Sequence, residues 1–278
     1  MGRQKTFAAR YHDPMIDGLD SRLAAALSVA RSMGDVTLQF LGADSLATDT
    51  KADGTIVTEA DRAAETHGYD TITRAFPDDG LLGEEHGTHP GSSGWRWVLD
   101  PIDGTVAFAR GVPLYGVLVG LEYNDTPVGG VIHMPAMRET VWGGQGQGAW
   151  HQHADAAPTI ARVSTTDRLA NAMVCTTSYD YFRDAGCAPL HERLCKGCGS
   201  TRGWSDCSAH LLLATGRIDA VVEPLLARWD ISAVIAVIEA AGGRCSDFDG
   251  MNDPSSTNAI VSNGHLHDEL LELIEAAN

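Results

Sequence analysis

The segment Trp95-Arg-Trp-Val-Leu-Asp100-Pro-Ile-Asp103-Gly-Thr105 does most to restrict what this chain can become. Its first five residues have the composition of a strand, and the strand ends in an acid. Pro101 locks φ near about −65° and removes an N–H, so the backbone is stiffened where two carboxylates three positions apart leave the strand end. Gly104 permits a close backbone approach, and Thr105 opens a short helix through Ala109. A helix start of this kind presents free N–H groups and the positive end of a dipole, which suits a phosphate. Hard oxygen donors without thiolates select Mg²⁺ over zinc or copper.

The flanking pattern supplies the rest of the architecture. Leu23, Ala26 or Leu27, Ala30, Met33, Leu38 and Leu41 recur at three- and four-residue steps, which predicts a helix capped by Asp20 and stopped by Gly42. Thr58-Glu-Ala-Asp61 has capping-box spacing, which predicts a second helix running to Phe76. Short strands follow at Trp95 to Asp100, Val117 to Tyr123, Val128 to His133 and Thr140 to Gly143. Beyond Pro158 the rhythm alternates: strand from Ala172 to Thr176, helix from Ser208 to Thr215, strand from Ile218 to Glu223, helix from Ile231 to Ala241, strand from Ala259 to Ser262, and a helix from Leu266. The expected division is a loose tail at 1–14, an α+β half at 15–156 carrying most of the acids, and an α/β half at 157–278 carrying Asp230.

Composition excludes several classes of function. Hydrophobic residues at 44% and charged residues at 21% permit an ordered core. A net charge of −17 argues against nucleic acid or an anionic membrane surface as partner. No apolar run approaches the roughly 20 residues of a membrane span, and the start has no secretory h-region. Gly2 and Thr6 satisfy a loose myristoylation pattern of the kind that arises by chance. Cys195-Lys-Gly-Cys198 could be half of a zinc site, but no partner pair follows at zinc spacing. Reduced thiols in a cytoplasmic protein are the expectation.

Asp61, Glu84-Glu85, Asp100 with Asp103, and Asp230 each sit where an element begins or ends. Singly they have structural explanations: Asp61 and Asp230 as helix caps, the glutamates as a solvated turn. Two carboxylates ~4 Å apart repel by about 4 kcal/mol at an effective dielectric of ~20, so the acids are either scattered on the surface or hold cations, and the second reading explains more of the motif.

Lys51-x-Asp53-x-Thr55-x-Val57-Thr58-x-x-Asp61, Gly83-Glu84-Glu85, Asp100 to Thr105, and Trp229-Asp230 with Glu239-Ala-Ala-Gly-Gly243 occur in the order seen in the inositol monophosphatase superfamily, which this sequence resembles across nearly its whole length. The resemblance implies a layered αβαβα sandwich of the inositol monophosphatase / fructose-1,6-bisphosphatase type, a homodimer, and two or three Mg²⁺ per site, with Mn²⁺ as a substitute and Li⁺ as an inhibitor. It implies metal binding by Glu84, Asp100, Asp103 and the Ile102 carbonyl, with Asp230 and Asp61 completing further metal positions. Glu84 and Thr105 would activate water, Asp103 would lie beside the phosphate, and the Gly104 and Thr105 N–H groups would hold it. Asp230 and Glu223 would face the leaving group. Arg110 to Gly116 and Thr201 to His210 are similar to the histidinol-phosphatase branch, although Val106-Ala107 and Ser208-Ala209 depart from it. Asp206 is a second candidate partner for the amine or imidazole of histidinol. Arg110 and Arg202 read either as phosphate neighbours or as partners of nearby acids, Trp204 as pocket mouth or core, and His210 as a hydrogen-bonded core histidine. The function implied is a Mg²⁺-dependent phosphomonoesterase for L-histidinol phosphate. Inositol-1-phosphate is the alternative, followed by a nucleotide 3′,5′-bisphosphate and then by a non-catalytic member of the fold.

Overall fold

A computed structural model describes residues 16–43, 46–51 and 54–276. The expected tail at 1–14, with Gly2 and Thr6, lies outside the described residues, as does Asp53.

The first helix, α1 (Leu19–Leu38), starts after Gly18 in the left-handed region, so Asp20 lies in its first turn and does not cap it. It stops at Leu38, which is exposed, while Leu19, Leu23, Ala26, Ala30 and Met33 are buried. A small hairpin, β1 (Thr48–Thr50) and β2 (Ile56–Thr58), leads into α2 (Glu59–Ala75). The expected capping box is present: Thr58 N–H donates to Asp61 Oδ2 at 2.8 Å, and the Thr58 side chain caps the first turn.

Next come β3 (Gly80–Gly83), β4 (Gly87–His89), β5 (Trp95–Asp103), the short α3 (Thr105–Phe108), β6 (Gly116–Tyr123), β7 (Thr126–Met134), β8 (Glu139–Gly144), β9 (Gly148–His153) and β10 (Thr159–Ala161). They make one sheet in the order β10-β9-β8-β7-β6-β5-β3-β4, antiparallel except for the β3–β5 pair. The remaining elements are β11 (Met173–Thr176), α4 (Tyr179–Asp184), α5 (Ala188–Gly197), β12 (Ser200–Arg202), α6 (Asp206–Ala214), β13 (Ala220–Glu223), α7 (Arg228–Ala240), β14 (Arg244–Ser246), β15 (Ala259–Ser262) and α8 (His267–Glu275). Their strands form a second sheet, β12-β11-β13-β15-β14, with β12, β11 and β13 parallel.

Strand alternation stacks these elements into layers. Trp97, Leu99, Val117, Val119 and Leu121 face α1 and α2, whereas Leu118, Ile132 and Val141 face α6 and α7. On the smaller sheet Cys175, Val221 and Val261 face the same two helices, while Val174, Val222 and Ile260 pack against α5 and α8. The sequence of layers is therefore helices, sheet, helices, sheet, helices. Among the described residues no helix is long and apolar enough to cross a membrane.

Close approach of α7 to the large sheet depends on glycine. A Cβ at Gly130 would lie 2.4 Å from the Ala233 carbonyl oxygen, and one at Gly120 would lie 2.7 Å from Ser232 Oγ. Because the obstacle at Gly130 is backbone, Gly130→Ala is expected to destabilise the protein by about 1–3 kcal/mol. Urea unfolding checks this, and an unchanged midpoint would mean that the helix has room to move.

Candidate active site

The acidic turn at the end of β5 has a specific cause. Asp100 pairs with Leu118 and Asp103 with Gly116, so the register slips across Pro101 and Ile102. Pro101 has no N–H to give the ladder, and a bulge of this kind re-aims the side chains on either side. Ile102 N–H turns inward and donates to Asp100 Oδ1 at 3.0 Å. Gly104, at φ 92°, caps α3 in the left-handed region. Its position would bring a Cβ to 3.0 Å from the Leu114 carbonyl oxygen.

Asp230 arrives from the first turn of α7, where its Oδ2 accepts from Ala227 N–H at 2.6 Å. Capping and site membership thus fall on one residue, as they do at Asp61. Ligand oxygens of Asp100, Asp103 and Asp230 all lie within 4.8 Å of one another. Asp103 Oδ2 also accepts from Cys207 N–H at the start of α6, at 2.5 Å. Three segments distant in the chain therefore converge through backbone N–H groups at strand and helix ends.

The charge state of this trio follows from its surroundings. Burial pushes Asp100 well above the usual carboxylate range, and Glu84, Asp103, Asp230 and Asp61 add to the effect. Burial does the same to Asp103, reinforced by Asp206, Asp230 and Glu223. Asp230 is pushed up to about 7, chiefly by burial, against the opposing Ala227 hydrogen bond. Among the described residues no lysine or arginine forms an ion pair with any of the three.

Glu84 and Asp61 stand beside Asp100. Glu84 Oε1 receives Lys51 Nζ at 2.7 Å, and Glu85 Oε1 receives the same nitrogen at 2.5 Å. Burial works against the charge on Lys51, but the two glutamates outweigh it and hold the ammonium above the ordinary lysine range. Asp61 Oδ1 is 3.5 Å from Thr105 Oγ1, and that hydroxyl donates to the Ile102 carbonyl at 2.9 Å. The Ile102 oxygen keeps a second lone pair.

On the far side of Asp103, Asp206 begins α6 with φ 58°, a strained value for a non-glycine residue. Ser205 Oγ donates to it at 2.8 Å. Glu223, at the end of β13, is buried and receives His210 Nε2 at 3.2 Å. His210 is thus the buried, hydrogen-bonded histidine expected, although its partner is itself a site candidate. Trp204 is 40% exposed and so is not core. Arg202 donates to the Thr201 carbonyl. All six cysteines are free thiols, and Cys195 lies 3.8 Å from His191 Nδ1.

Two supporting residues escaped sequence reasoning. Glu65, one turn after Asp61 on α2, accepts from the N–H groups of Glu85 and His86, both at 2.8 Å, and so holds the Glu84 turn. Gly83 is small because a Cβ there would lie 1.9 Å from Glu65 Oε1. Glu122, fully buried on β6, takes Arg228 Nε at 2.9 Å and Ser232 Oγ at 3.0 Å, which pins the turn carrying Asp230. The available signals were the four-residue step from Asp61 to Glu65 and a lone acid inside an apolar strand.

A sequence profile of the inositol monophosphatase family matches residues 19–278. The chain belongs to the inositol monophosphatase family. With it comes membership of the phosphoric monoester hydrolases. Among its relatives, a histidinol-phosphatase of Chlorobaculum parvum is 40% identical over 86% of this chain and 91% of its own length. One of Mycobacterium tuberculosis is 36% identical over 91% of this chain and 98% of its own. The solved structure of a Thermotoga maritima IMPase superposes with a TM-score of 0.82 at 30% identity, covering 92% and 98% of the two chains. In this family member Asp100, Asp103 and Asp230 lie together, and this metal-compatible group among the described residues is made of carboxylates alone.

Asp230 has a folded pKa raised above its unfolded value. Its contribution to metal-free stability is therefore full below about 4 and is lost as pH rises through about 7. Asp230→Asn in EDTA is expected to gain in melting temperature over the parent as pH rises from 5 to 8. Buried His133 and His267, both held near about 4, are common to the two proteins and cancel. A pH-independent difference would mean that the carboxylate carries no such penalty.

Proposed function

We propose that this protein is a cytoplasmic, homodimeric, Mg²⁺-dependent phosphomonoesterase whose substrate is L-histidinol phosphate. The observation that carries the reading is the trio of buried Asp100 with half-buried Asp103 and Asp230, crowded and unpaired with any cationic side chain among the described residues. Such a group is stable when charged only beside a cation. Its donors are all hard oxygens, which fits Mg²⁺, with Mn²⁺ as a substitute. Two or three ions per site fit the number of carboxylates, and Li⁺ is expected to inhibit. Asp100, Asp103, Asp230 and Glu84, with the Ile102 carbonyl and Asp61, would hold the metal. Bound Mg²⁺ supplies Lewis-acid neutralisation of the charge that develops on the phosphoryl group.

The chain's own residues divide the remaining work. The Gly104 and Thr105 N–H groups, at the start of α3, receive the phosphate oxygens, with Asp103 beside them. Thr105 Oγ1, held between the Ile102 carbonyl and Asp61, orients the attacking water. Glu84 takes the water's proton, and its pairing with Lys51 Nζ sets how readily it does so. Attack is in line with the leaving oxygen and requires no protein nucleophile. Asp230 and Glu223 face the leaving group, with Asp206 next to them, so the departing alcohol meets a surface of negative charge.

That surface favours a cationic leaving group, and the relatives at 40% and 36% identity carry the name histidinol-phosphatase. An inositol phosphate is the second reading, favoured by the structural neighbour named IMPase. Histidinol phosphate is expected to be hydrolysed with a kcat/KM at least about tenfold above that of inositol-1-phosphate. The opposite ranking would hand the site to the polyol. Asp100→Asn is expected to cut turnover by about 10³ or more while leaving the metal-free melting temperature equal or higher. Turnover of the parent enzyme that survives EDTA would overturn the metal dependence, and a collapsed fold in Asp100→Asn would make that acid structural.

A further inference from the structure

Two buried side-chain atoms, Thr177 Oγ1 and His210 Nδ1, have no hydrogen-bond partner among the described residues. Both side chains flank Glu223. β11 and β13 run parallel with Thr176 opposite Val222, so Thr177 stands one step beyond the strand, level with Glu223. Cys175 and Val221 point toward α6 and α7, while Val174 and Val222 point the other way. Continuing this alternation puts Thr177 and Glu223 on the α6 side together. From α6, His210 Nε2 meets Glu223 Oε2 at 3.2 Å. A carboxylate only accepts, so Nε2 carries the proton, and in the neutral ring Nδ1 is an acceptor. Asp206 lies one turn earlier on the same helix.

Leaving a buried hydroxyl unpaired is costly, and proteins keep such groups where a ligand satisfies them. This one sits where the parallel strands β12, β11 and β13 end, the crevice in which open α/β sheets bind ligands. Thr177 is 7% exposed and Glu223 5%, so a group reaching them is nearly dehydrated. The open positions include two acceptors, the second oxygen of Glu223 and the Thr177 hydroxyl. A primary ammonium offers three N–H donors and no acceptor, which matches that set.

We propose that Thr177 is a specificity-determining contact for a primary ammonium on the leaving group, and that His210 is the positioning residue that orients Glu223 toward it. The inference deepens the leaving-group reading of Glu223 given above and rests on it. Full-length Mg²⁺-loaded enzyme is assayed on L-histidinol phosphate and on its desamino analogue, the same ester without the amine. Thr177→Val keeps the shape and removes the hydroxyl. It is expected to lower the ratio of the two kcat/KM values by about tenfold, largely through KM, with Thr177→Ser restoring it. Its metal-free melting temperature is expected to equal or exceed that of the parent, because no protein hydrogen bond is lost. His210→Phe, without a donor to Glu223, is expected to lower the same ratio, and His210→Gln, which keeps one, to recover part of it.

If the parent discriminates but Thr177→Val leaves the ratio unchanged, or damages both esters equally, the inference is overturned while the substrate reading stands. A lower melting temperature for Thr177→Val would overturn it too, by making the hydroxyl structural. A parent enzyme that treats both esters alike would remove the amine from the substrate reading and the inference with it.

Discussion

Everything in this protein is arranged around a small volume of buried negative charge. Asp100 and Asp103 from the end of β5 and Asp230 from the start of α7 approach within 4.8 Å. Each is held by a backbone N–H: Ile102 for Asp100, Cys207 for Asp103, Ala227 for Asp230. Such bonds fix position and offset only part of the repulsion, since burial still drives all three carboxyls upward. Among the described residues no cationic side chain pairs with the three, so the fold gives up stability at a group that could hold a metal ion.

The supporting residues follow from the same requirement. Glu65 fastens the Glu84 turn to α2, Lys51 bridges Glu84 and Glu85, and Glu122 clamps the start of α7 to the large sheet. Glu65 and Glu122 are buried, Lys51 is half-buried, and each has its partners, so each acid has one place to be. Close packing of α7 against glycines in β6 and β7 keeps that placement rigid. Positioning is therefore distributed over the sheet, three helices and the turns between them.

Much of this was legible in the sequence, and what was missed has physical reasons. Periodicity revealed α1, α7 and the central strands, because each buries a continuous apolar face, and capping-box spacing revealed α2. The flanking strands β3, β4, β9 and β10 stayed hidden: they are short, rich in glycine or polar residues, and owe their conformation to their neighbours. Helices α4 and α5 were missed because Tyr179–Asp184 is barely a turn and a half and the second shows few apolar positions. Asp61, Asp100, Asp103 and Asp230 could be singled out because each lies beside a helix cap or a proline. Lys51 as an ion-pair partner, Thr177 and the partnership of His210 with Glu223 were not legible, since their meaning lies in contacts between distant segments. Asp61 caps α2 and also reaches Thr105 beside the acidic trio, so capping does not exclude the role proposed for it.

Crystals soaked in Mn²⁺ and measured at its absorption edge would probe the central claim most directly. The account requires an anomalous peak enclosed by oxygens of Asp100, Asp103 and Asp230, and its disappearance in crystals of Asp100→Asn. Manganese bound elsewhere, or a parent crystal with the three carboxylates intact and no peak between them, would contradict it.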